Sequence, residues 1–511
     1  MSVAVMDADR PDLVMGVVGT GVMGRGIAQI AAAAGVTVRL LDARPGGAEE
    51  GRALLAKTFE GLAAKGKMDR AAATAAVSRL RPVAGEADLA GCDLVVEAIV
   101  EDLAAKQELF ARLEGVVGDA CILATNTSSL SVTAIAAGCA RPERVAGFHF
   151  FNPVPLMKVV EVIAGPLTGP GIAEALDALA HRLGHRPVRA ADTPGFLINH
   201  LGRGYSTEAL RILQEGIAGF DEIDRILRDA AGFRMGPFEL LDLTALDVSH
   251  PVIESIYYQF YEEPRFRPSY LLRQRHAAGL YGRKVGRGFY RYEDGKQVPV
   301  PAPEVPPGER RPLWLNAADP VAREALRSLA ETAGWTVEEG ARPGAEALCV
   351  VTPLGADATM AALEHGLDPV RTVAVDPLLG LERRRTLMTT PVTAPEFRDS
   401  ALAWLAADGV PVSRIHDSPG FVAQRTLATI INIACDIAQQ RIATPEDIDG
   451  AVTLGLGYPK GPLAWGDALG PMRILRVLEG IQAATGDPRY RPSPWLSRRA
   501  RLGVSLLTPE G

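Results

Sequence analysis

The 511-residue chain is short of positive charge. Lys and Arg number 54 against 61 Asp and Glu, a formal net charge of −7. That balance leaves no basic footprint and argues against nucleic acid as a partner. Cysteine is also scarce. Cys92, Cys121, Cys139, Cys349 and Cys435 lie far apart, with no C-x-x-C pair. This fits free thiols in a reducing compartment better than a disulfide frame or a zinc site. No run approaches the roughly 18 apolar residues that a membrane span requires. The first residues, "MSVAVMDADRPD", carry acids and no long apolar core, so they do not read as a secretory signal. The expectation is a cytoplasmic protein with no membrane contact and no metal. Its length exceeds what one core supports, so two to four domains are expected.

What is present is patterned. "LVMGVVG" reads as a buried strand, "VMGRGIAQIAAAAG" as a helix and "VTVRLLD" as a second strand. Further short β-branched runs follow: "CDLVVEAI", "CILATNT", "RVAGFHF" and "KVVEVI". Helical stretches such as "DLAAKQELFARLEGVV" lie between some of them. Strands alternating with helices predict a parallel α/β sheet. After "DTPGF" long helical patterns take over, and "VPVPAPEVPPGERRP" reads as a linker.

Beyond the linker the sequence repeats itself at one constant offset. "DTPGFLIN" (192–199) recurs as "DSPGFVAQ" (417–424), and "DEIDR" (221–225) as "EDIDG" (446–450). Gly236-Pro237 recurs as Gly461-Pro462, Asp242 as Asp467, Pro166 as Pro391 and Gly184 as Gly409. Each pair is 225 residues apart. The expected architecture is an α/β Rossmann-type domain (13–191) and an all-α domain (192–292). A Pro-rich linker (293–312) leads to a degenerate α/β region (313–416), and a second helical module (417–511) closes the chain.

Gly19-x-Gly21-x-x-Gly24 follows the first strand and opens the helix, and the second strand ends in Asp42. That context is what the dinucleotide fingerprint requires. Gly19 permits the turn, and Gly21 lets a pyrophosphate approach. Gly24 lets helix and strand pack, and the helix start, with Val22 and Met23, attracts phosphate. Asp42 suits a ribose diol and repels a 2′-phosphate, so NAD is favoured over NADP, although Arg44 stands close by.

Two polar residues interrupt apolar runs in "GFHFFNPVPLMKVVEVI": His149 and Glu161. Alone, the first is more often a satisfied core histidine and the second an edge-strand charge. Together, on two strands joined by "NPVP", they make a base and its supporting carboxylate. Alcohol oxidation needs such a base near the carbinol oxygen, and donors around that oxygen. Ser128 and Ser129 in "TNTSSLSV" and Asn199 in "DTPGFLIN" are available donors. Taken singly, they read as a polar turn and a helix start.

Six segments in order resemble the 3-hydroxyacyl-CoA dehydrogenase family: "GVVGTGVMGRGIA", "VVEAIVEDLAAKQELF", "ATNTSSLSVT", "GFHFFNPVPLMKVVEVI", "DTPGFLIN" and "GRKVGRGFY". The resemblance covers about residues 13–292. It implies that His149 is the catalytic base, Glu161 its partner, and Ser128 and Asn199 the groups that hold the reacting 3-oxygen. It places Glu101, Lys106, Asn126 and Lys284 at the cofactor and Asn152 at the substrate. Lys65 and Lys67 fall in a basic hairpin near the CoA phosphates. It further implies a helical domain that closes on the Rossmann domain and carries a homodimer contact. The double-length arrangement is similar to the 3-hydroxyadipyl-CoA dehydrogenases of bacterial phenylacetate breakdown. A short 3-hydroxybutyryl chain is the alternative substrate. A non-catalytic NAD- or CoA-binding protein is the alternative of another class. In the second copy Thr386 stands for Glu161 and Gln424 for Asn199, and no histidine maps onto His149. That half is expected to be unable to run the reaction alone.

Overall fold

The computed structural model describes residues 6–316 and 319–510. The first half forms an eight-stranded sheet from β1 (Val14–Val18), β2 (Thr37–Leu41), β3 (Leu80–Pro82), β4 (Leu94–Glu97), β5 (Ile122–Thr125), β6 (Val145–Phe150), β7 (Val159–Ala164) and β8 (Arg186–Ala191). Between them run α1 (Val22–Ala33), α2 (Gly47–Ala64), α3 (Arg70–Arg79), α4 (Leu103–Glu114), α5 (Val132–Ala136) and α6 (Ile172–Arg182). The strand order is β3-β2-β1-β4-β5-β6-β7-β8. Its first six strands follow the doubly wound order that binds dinucleotides. Neighbouring strands are parallel except β6 and β7. β4, β5 and β6 are buried at every position. This is the pattern of a sheet covered on both faces, and it explains why those strands are near-continuous apolar runs. The two strands not foreseen, β3 and β8, are the edges of the sheet. Edges tolerate Pro82, Arg186 and Arg189, so they carry no apolar signature.

The chain continues as α7 (Ile198–Gln214), α8 (Phe220–Asp229), α9 (Pro237–Thr244), α10 (Leu246–Gln259) and α11 (Tyr270–Ala277), with a short hairpin of β9 (Tyr292–Glu293) and β10 (Lys296–Gln297). The second half then rebuilds the α/β plan with β11 (Leu313–Asn316), α12 (Pro320–Thr332), β12 (Val337–Glu338), β13 (Leu348–Val351), α13 (Ala358–Glu364), β14 (Thr372–Val375), β15 (Arg385–Thr389), α14 (Pro395–Leu405) and β16 (Val412–Ile415). Helices α15 (Val422–Gln439) and α16 (Pro445–Gly455) follow. This sheet has the order β12-β11-β13-β14-β15-β16, two strands fewer than the first. Its single reversal, β14 against β15, falls where β6 meets β7 in the first. Repeated residues also keep their tasks. Asp192 accepts from Val132 N, Thr133 N and Ser131 Oγ, and Asp417 accepts from Ala358 N and the Thr359 hydroxyl. Asp242 accepts from Phe289 N and Tyr290 N, and Asp467 from Leu506 N.

Two compact units result. One runs to His200 and also takes in Gln440–Leu456; the other comprises Leu201–Gln439 and the chain from Gly457. α7 starts in one unit and continues in the other. A segment of the second copy joins the first unit because it completes the edge of the first sheet. Ala191 N donates to Ile442 O at 2.8 Å, and Arg186 pairs with Glu446 at 3.2 Å. Gly455 sits against Ile198 and Val159, where a Cβ would come within 2.7 Å of the Ile198 side chain.

Inside the second unit, the two helical modules pair with each other. Gly204 of α7 lets Ile430 and Ile433 of α15 approach; a Cβ there would sit 3.1 Å from Ile433. "EPRFRPS" (263–269) meets its own repeat, "DPRYRPS" (487–493), reciprocally. Arg265 Nη2 donates to Arg491 O at 2.7 Å, and Arg489 Nη2 to Arg267 O at 3.4 Å. Such an exchange of equivalent contacts is the signature of a local two-fold axis. Arg265 also pairs with Asp436, and Arg491 with both oxygens of Glu263 at 2.9 Å. Fully buried Arg425 is satisfied by Glu208 (2.9 Å), Glu215 (2.7 Å) and the Tyr490 hydroxyl (2.8 Å). All five cysteines are buried as free thiols. No helix among the described residues is long and apolar enough to cross a membrane.

Candidate active site

The glycine turn lies at the end of β1, beside β4, where the sheet changes direction. Gly19 has φ +94°, and a Cβ on it would lie 2.5 Å from Ala98 O. A Cβ on Gly24 would lie 1.8 Å from Gly19 O, whereas one on Gly21 would meet nothing within 4 Å. The first and third glycines therefore pack the turn, and the second keeps its outer face open. Gly21 is the N-cap of α1 and offers no side-chain cap, so the first N–H groups of that helix remain for an anion. Val22 is 61% exposed at the same helix start, followed by half-buried Met23.

Asp42 ends β2 beside this turn. Its Oδ2 accepts from Thr20 N (2.8 Å) and Thr20 Oγ1 (2.5 Å), and its Oδ1 from Arg44 N (2.9 Å). Burial pushes its carboxyl up, but the hydrogen bonds from Thr20 and Arg44 outweigh that and hold it below the usual carboxylate range. It is thus a fixed anion, suited to a ribose diol. Arg44 is turned to carboxylates, toward Asp42 at 3.6 Å and Glu50 at 3.3 Å. These residues fit NAD: an open phosphate cradle, a helix start and an acid at the ribose position.

The second cluster lies at the ends of β5, β6 and β7. His149 and Glu161 are directly opposed in the antiparallel register of β6 and β7. His149 Nδ1 lies 2.6 Å from Glu161 Oε2. The imidazole is 4% exposed and the carboxylate 0%. An unpaired carboxylate so deeply buried costs several kcal/mol, which the pairing offsets. The pair also fixes the ring: Nδ1 is committed to Glu161, which leaves Nε2 as the nitrogen for chemistry. Phe151 and Phe196 flank the ring at centroid distances of 4.4 and 5.9 Å. Glu161 Oε1 accepts from Leu197 N (2.9 Å) and Ile198 N (2.7 Å) at the start of α7. One carboxylate therefore orients the histidine and anchors the helix that carries Asn199.

Asn199 Nδ2 lies 3.5 Å from Ser128 O, so the two predicted oxygen-holding residues are neighbours. Asn126 Oδ1 accepts from Phe150 N at 2.8 Å, which ties β5 to the strand bearing His149. Asn152 follows β6, exposed, before Pro153.

Glu101 and Lys106 were expected at the cofactor; their contacts in the chain are supporting ones. Glu101 Oε1 collects Thr127 Oγ1 (2.7 Å), Ser128 N (2.9 Å), Ser129 N (3.1 Å) and Ser129 Oγ (2.9 Å), so it shapes the loop that presents Ser128. Burial pushes its carboxyl up, yet hydrogen bonds from Thr127 and the charge of Lys106 bring it below the usual range. Lys106 is 1% exposed, held by Glu97 (2.5 Å) and Glu101 (3.3 Å). Glu97 was missed. It is fully buried and also takes Thr125 Oγ1 at 2.7 Å and Ile99 N at 2.7 Å. The signal was present, because "LVVEAI" breaks an apolar strand just as "VVEVI" does. Lys65 and Lys67 are exposed in the turn between α2 and α3. Lys284 belongs to the second unit, where it is paired with Asp247.

The second copy fills the same frame with other groups. At a strict 225-residue offset Ala374 stands for His149. The register of β14 and β15 is shifted by two residues, and its continuation sets Asp376 opposite Thr386, with Asp376 N donating to Thr386 O at 3.1 Å. A carboxylate, not an alanine, occupies the base's place. Gln424 Nε2 donates to Pro353 O (3.1 Å), as Asn199 does to Ser128 O, and also to Asp376 Oδ1 (2.9 Å). No imidazole is present in that cluster.

A doubly wound sheet with this turn and a buried histidine–carboxylate pair defines an NAD-binding dehydrogenase. Comparison with known proteins narrows the class. The model for the NAD-binding domain of 3-hydroxyacyl-CoA dehydrogenase matches residues 14–193, and that for its C-terminal domain matches 195–292 and again 420–505. The chain is 38% identical over 493 residues to 3-hydroxyadipyl-CoA dehydrogenase of Escherichia coli K12, covering 95% of this chain and 97% of that one. It is 41% identical over 290 residues to the mitochondrial hydroxyacyl-coenzyme A dehydrogenase of Sus scrofa, covering 54% of this chain and 90% of the relative. The crystal structure of an E. coli 3-hydroxybutyryl-CoA dehydrogenase superposes with a TM-score of 0.83 at 36% identity, covering 96% and 98% of the two chains. The chain belongs to the 3-hydroxyacyl-CoA dehydrogenase family, oxidoreductases that use NAD.

Proposed function

We propose that the chain oxidises the 3-hydroxyl of a (3S)-3-hydroxyacyl-CoA to the 3-oxo group, with a dicarboxylic acyl chain such as 3-hydroxyadipyl as substrate. The observation that carries this reading is the buried His149–Glu161 pair at 2.6 Å beside the Ser128–Asn199 neighbours. Bound NAD supplies the hydride acceptor. His149 Nε2 takes the hydroxyl proton as the C3 hydride departs and the C–O bond becomes a carbonyl. Glu161 stabilises the imidazolium that results. The Ser128 hydroxyl and the Asn199 amide hold the oxygen as its bond order changes. Glu101 and Asn126 keep the loop and strand ends in place, and Glu97 with Lys106 supports Glu101. Exposed Lys65 and Lys67 suit the CoA phosphates. The name of the E. coli relative matched over nearly its whole length supports the dicarboxylic substrate. The name of the matched crystal structure supports the alternative, a 3-hydroxybutyryl chain.

We place the protein in the cytoplasm, where five unpaired thiols are stable. The expected homodimer contact is met, in this reading, within one chain by the pairing of the two helical modules. Light scattering on purified protein measures whether two chains associate further.

The test is turnover. Purified protein with NAD and 3-hydroxyadipyl-CoA or 3-hydroxybutyryl-CoA should produce NADH absorbance. His149→Ala should lose that turnover and still bind NAD by calorimetry; unchanged turnover would sink the mechanism.

A further inference from the structure

One cavity of the second unit carries a single sign of charge. It holds about 420 Å³ and lies between α11 and the turn that leads into β9. Its walls include Arg275, Arg287 and Arg291, with Leu271, Leu280 and Phe289, and no acid among the described residues. The backbone brings the arginines together. Arg287 forms antiparallel bridges with Gly282 and with Arg291. Opposed residues of such a bridge carry their side chains on one face, about 5 Å apart, and like charges there repel. Arg275 is fixed beside them: its Nη1 donates to Gly288 O at 2.9 Å, and its guanidinium lies 4.0 Å over the Phe289 ring. Burial pulls the Arg275 guanidinium down from its ordinary value, Asp242 pushes it up, and the charge of Arg287 pulls it down again.

The local fold does not call for these charges. Asp242, the carboxylate that acts on Arg275, is fully buried and holds the backbone of the turn. Its Oδ1 accepts from Phe289 N at 2.8 Å, and its Oδ2 from Tyr290 N at 2.8 Å and the Tyr292 hydroxyl at 3.1 Å. The second copy makes the same clamp without an arginine beside it. Asp467 accepts from Leu506 N at 2.8 Å, and Ala500 stands 225 residues after Arg275. Three converging guanidiniums therefore cost stability without serving the clamp, and an anion among them offsets that repulsion.

We infer that Arg275, Arg287 and Arg291 form a phosphate-binding site, built from residues other than those assigned to catalysis and to NAD. It goes beyond the proposed reaction and does not rest on it. The ligand chemistry follows from the number of cations. A carboxylate brings one charge and two oxygens. A phosphate monoester brings a charge of about −1.5 to −2 and three acceptor oxygens, which suits three guanidiniums. The planar fork of arginine also matches phosphate oxygens two at a time. Leu271 and Leu280 give the remaining wall an apolar stretch. The phosphate can therefore come from a free phosphate ion or from an organic ester such as coenzyme A, and the two sources are separable by experiment.

The experiment is a calorimetric titration of the full chain with pyrophosphate, with NAD present in excess so that the dinucleotide cradle is filled. Wild-type protein should bind, and more weakly as salt is raised. The double variant Arg287→Gln with Arg291→Gln changes two exposed side chains and leaves Arg275 on Phe289, so its Tm should stay close to wild type. Its affinity for pyrophosphate should fall by roughly 10- to 100-fold, the worth of charge-assisted contacts. Arg287→Lys with Arg291→Lys keeps the charge without the fork and should restore part of it. Coenzyme A in place of pyrophosphate identifies the source. Wild type binding one equivalent more than the double variant assigns the site to the phosphates of coenzyme A. Equal coenzyme A binding, with pyrophosphate binding weakened in the variant, assigns it to a free phosphate ion. Equal affinity of wild type and the double variant for both probes overturns the inference, and so does wild-type protein that binds neither.

Discussion

Asp376 faces Thr386 across the reversal of the second sheet, its backbone N–H on the Thr386 carbonyl at 3.1 Å. His149 faces Glu161 at the same reversal in the first. The duplicated frame thus holds two opposed pairs of different chemistry. In the first, a carboxylate supports an imidazole. In the second, the carboxylate has changed strands and is satisfied by Gln424 and Leu378 N.

That exchange predicts a pH effect on stability. Burial pushes the Asp376 carboxyl from 3.8 up to about 6. The folded state therefore favours the protonated acid. The stabilisation is fully present below pH 4 and is lost as pH rises through 6. Asp376→Asn keeps an acceptor for Gln424 and Leu378 and cannot ionise. At pH 8 it should be more stable than wild type, on the order of 2 kcal/mol, and near pH 4 the gap should close. Urea unfolding of both proteins from pH 4 to 8 checks this; parallel stability curves would refute it.

Glu161→Gln separates the two tasks of that residue. The amide oxygen can still accept from Leu197 and Ile198, so the start of α7 should hold. The negative charge that stabilises an imidazolium is gone. kcat should fall by roughly 10²- to 10⁴-fold with little change in Tm. A large Tm loss at normal residual activity would show that the carboxylate is structural only.

The glycines of the turn should respond in opposite ways. Gly24→Ala places a Cβ against Gly19 O and should destabilise the fold. Gly21→Ala meets no protein atom within 4 Å, so its Tm should stay close to wild type. Its methyl would stand where the pyrophosphate approaches, and its Kd for NAD should rise at least tenfold. Calorimetric titration with NAD, alongside thermal melts, distinguishes the two; equal NAD affinity in Gly21→Ala would remove the phosphate from that face.

Much of this was legible in the residues. "GVVGTGVMGRG" followed by Asp42 defined the cofactor turn, and one offset of 225 exposed the duplication. His149 and Glu161 were visible because charge inside an apolar strand is costly. Glu97 gives the same signal and was passed over, because its partner Lys106 lies on a helix and not on a facing strand. Asp376 was hidden for another reason. Its register depends on how many residues the turn between β14 and β15 takes up, and a fixed offset ignores that. β8 was hidden by its edge position, and the docking of Gln440–Leu456 on the first sheet by being a contact between segments far apart in sequence.

The reciprocal contact between "EPRFRPS" and "DPRYRPS" has a consequence for how the protein behaves on dilution. When the two faces of a symmetric contact belong to separate molecules, its occupancy follows concentration. Here both faces are encoded in one polypeptide, so their pairing is first-order and survives at any concentration. The two faces are also free to mutate separately, since a change in one is no longer copied into the other. Phe233 and Tyr458 show the result: equivalent positions, no longer the same residue.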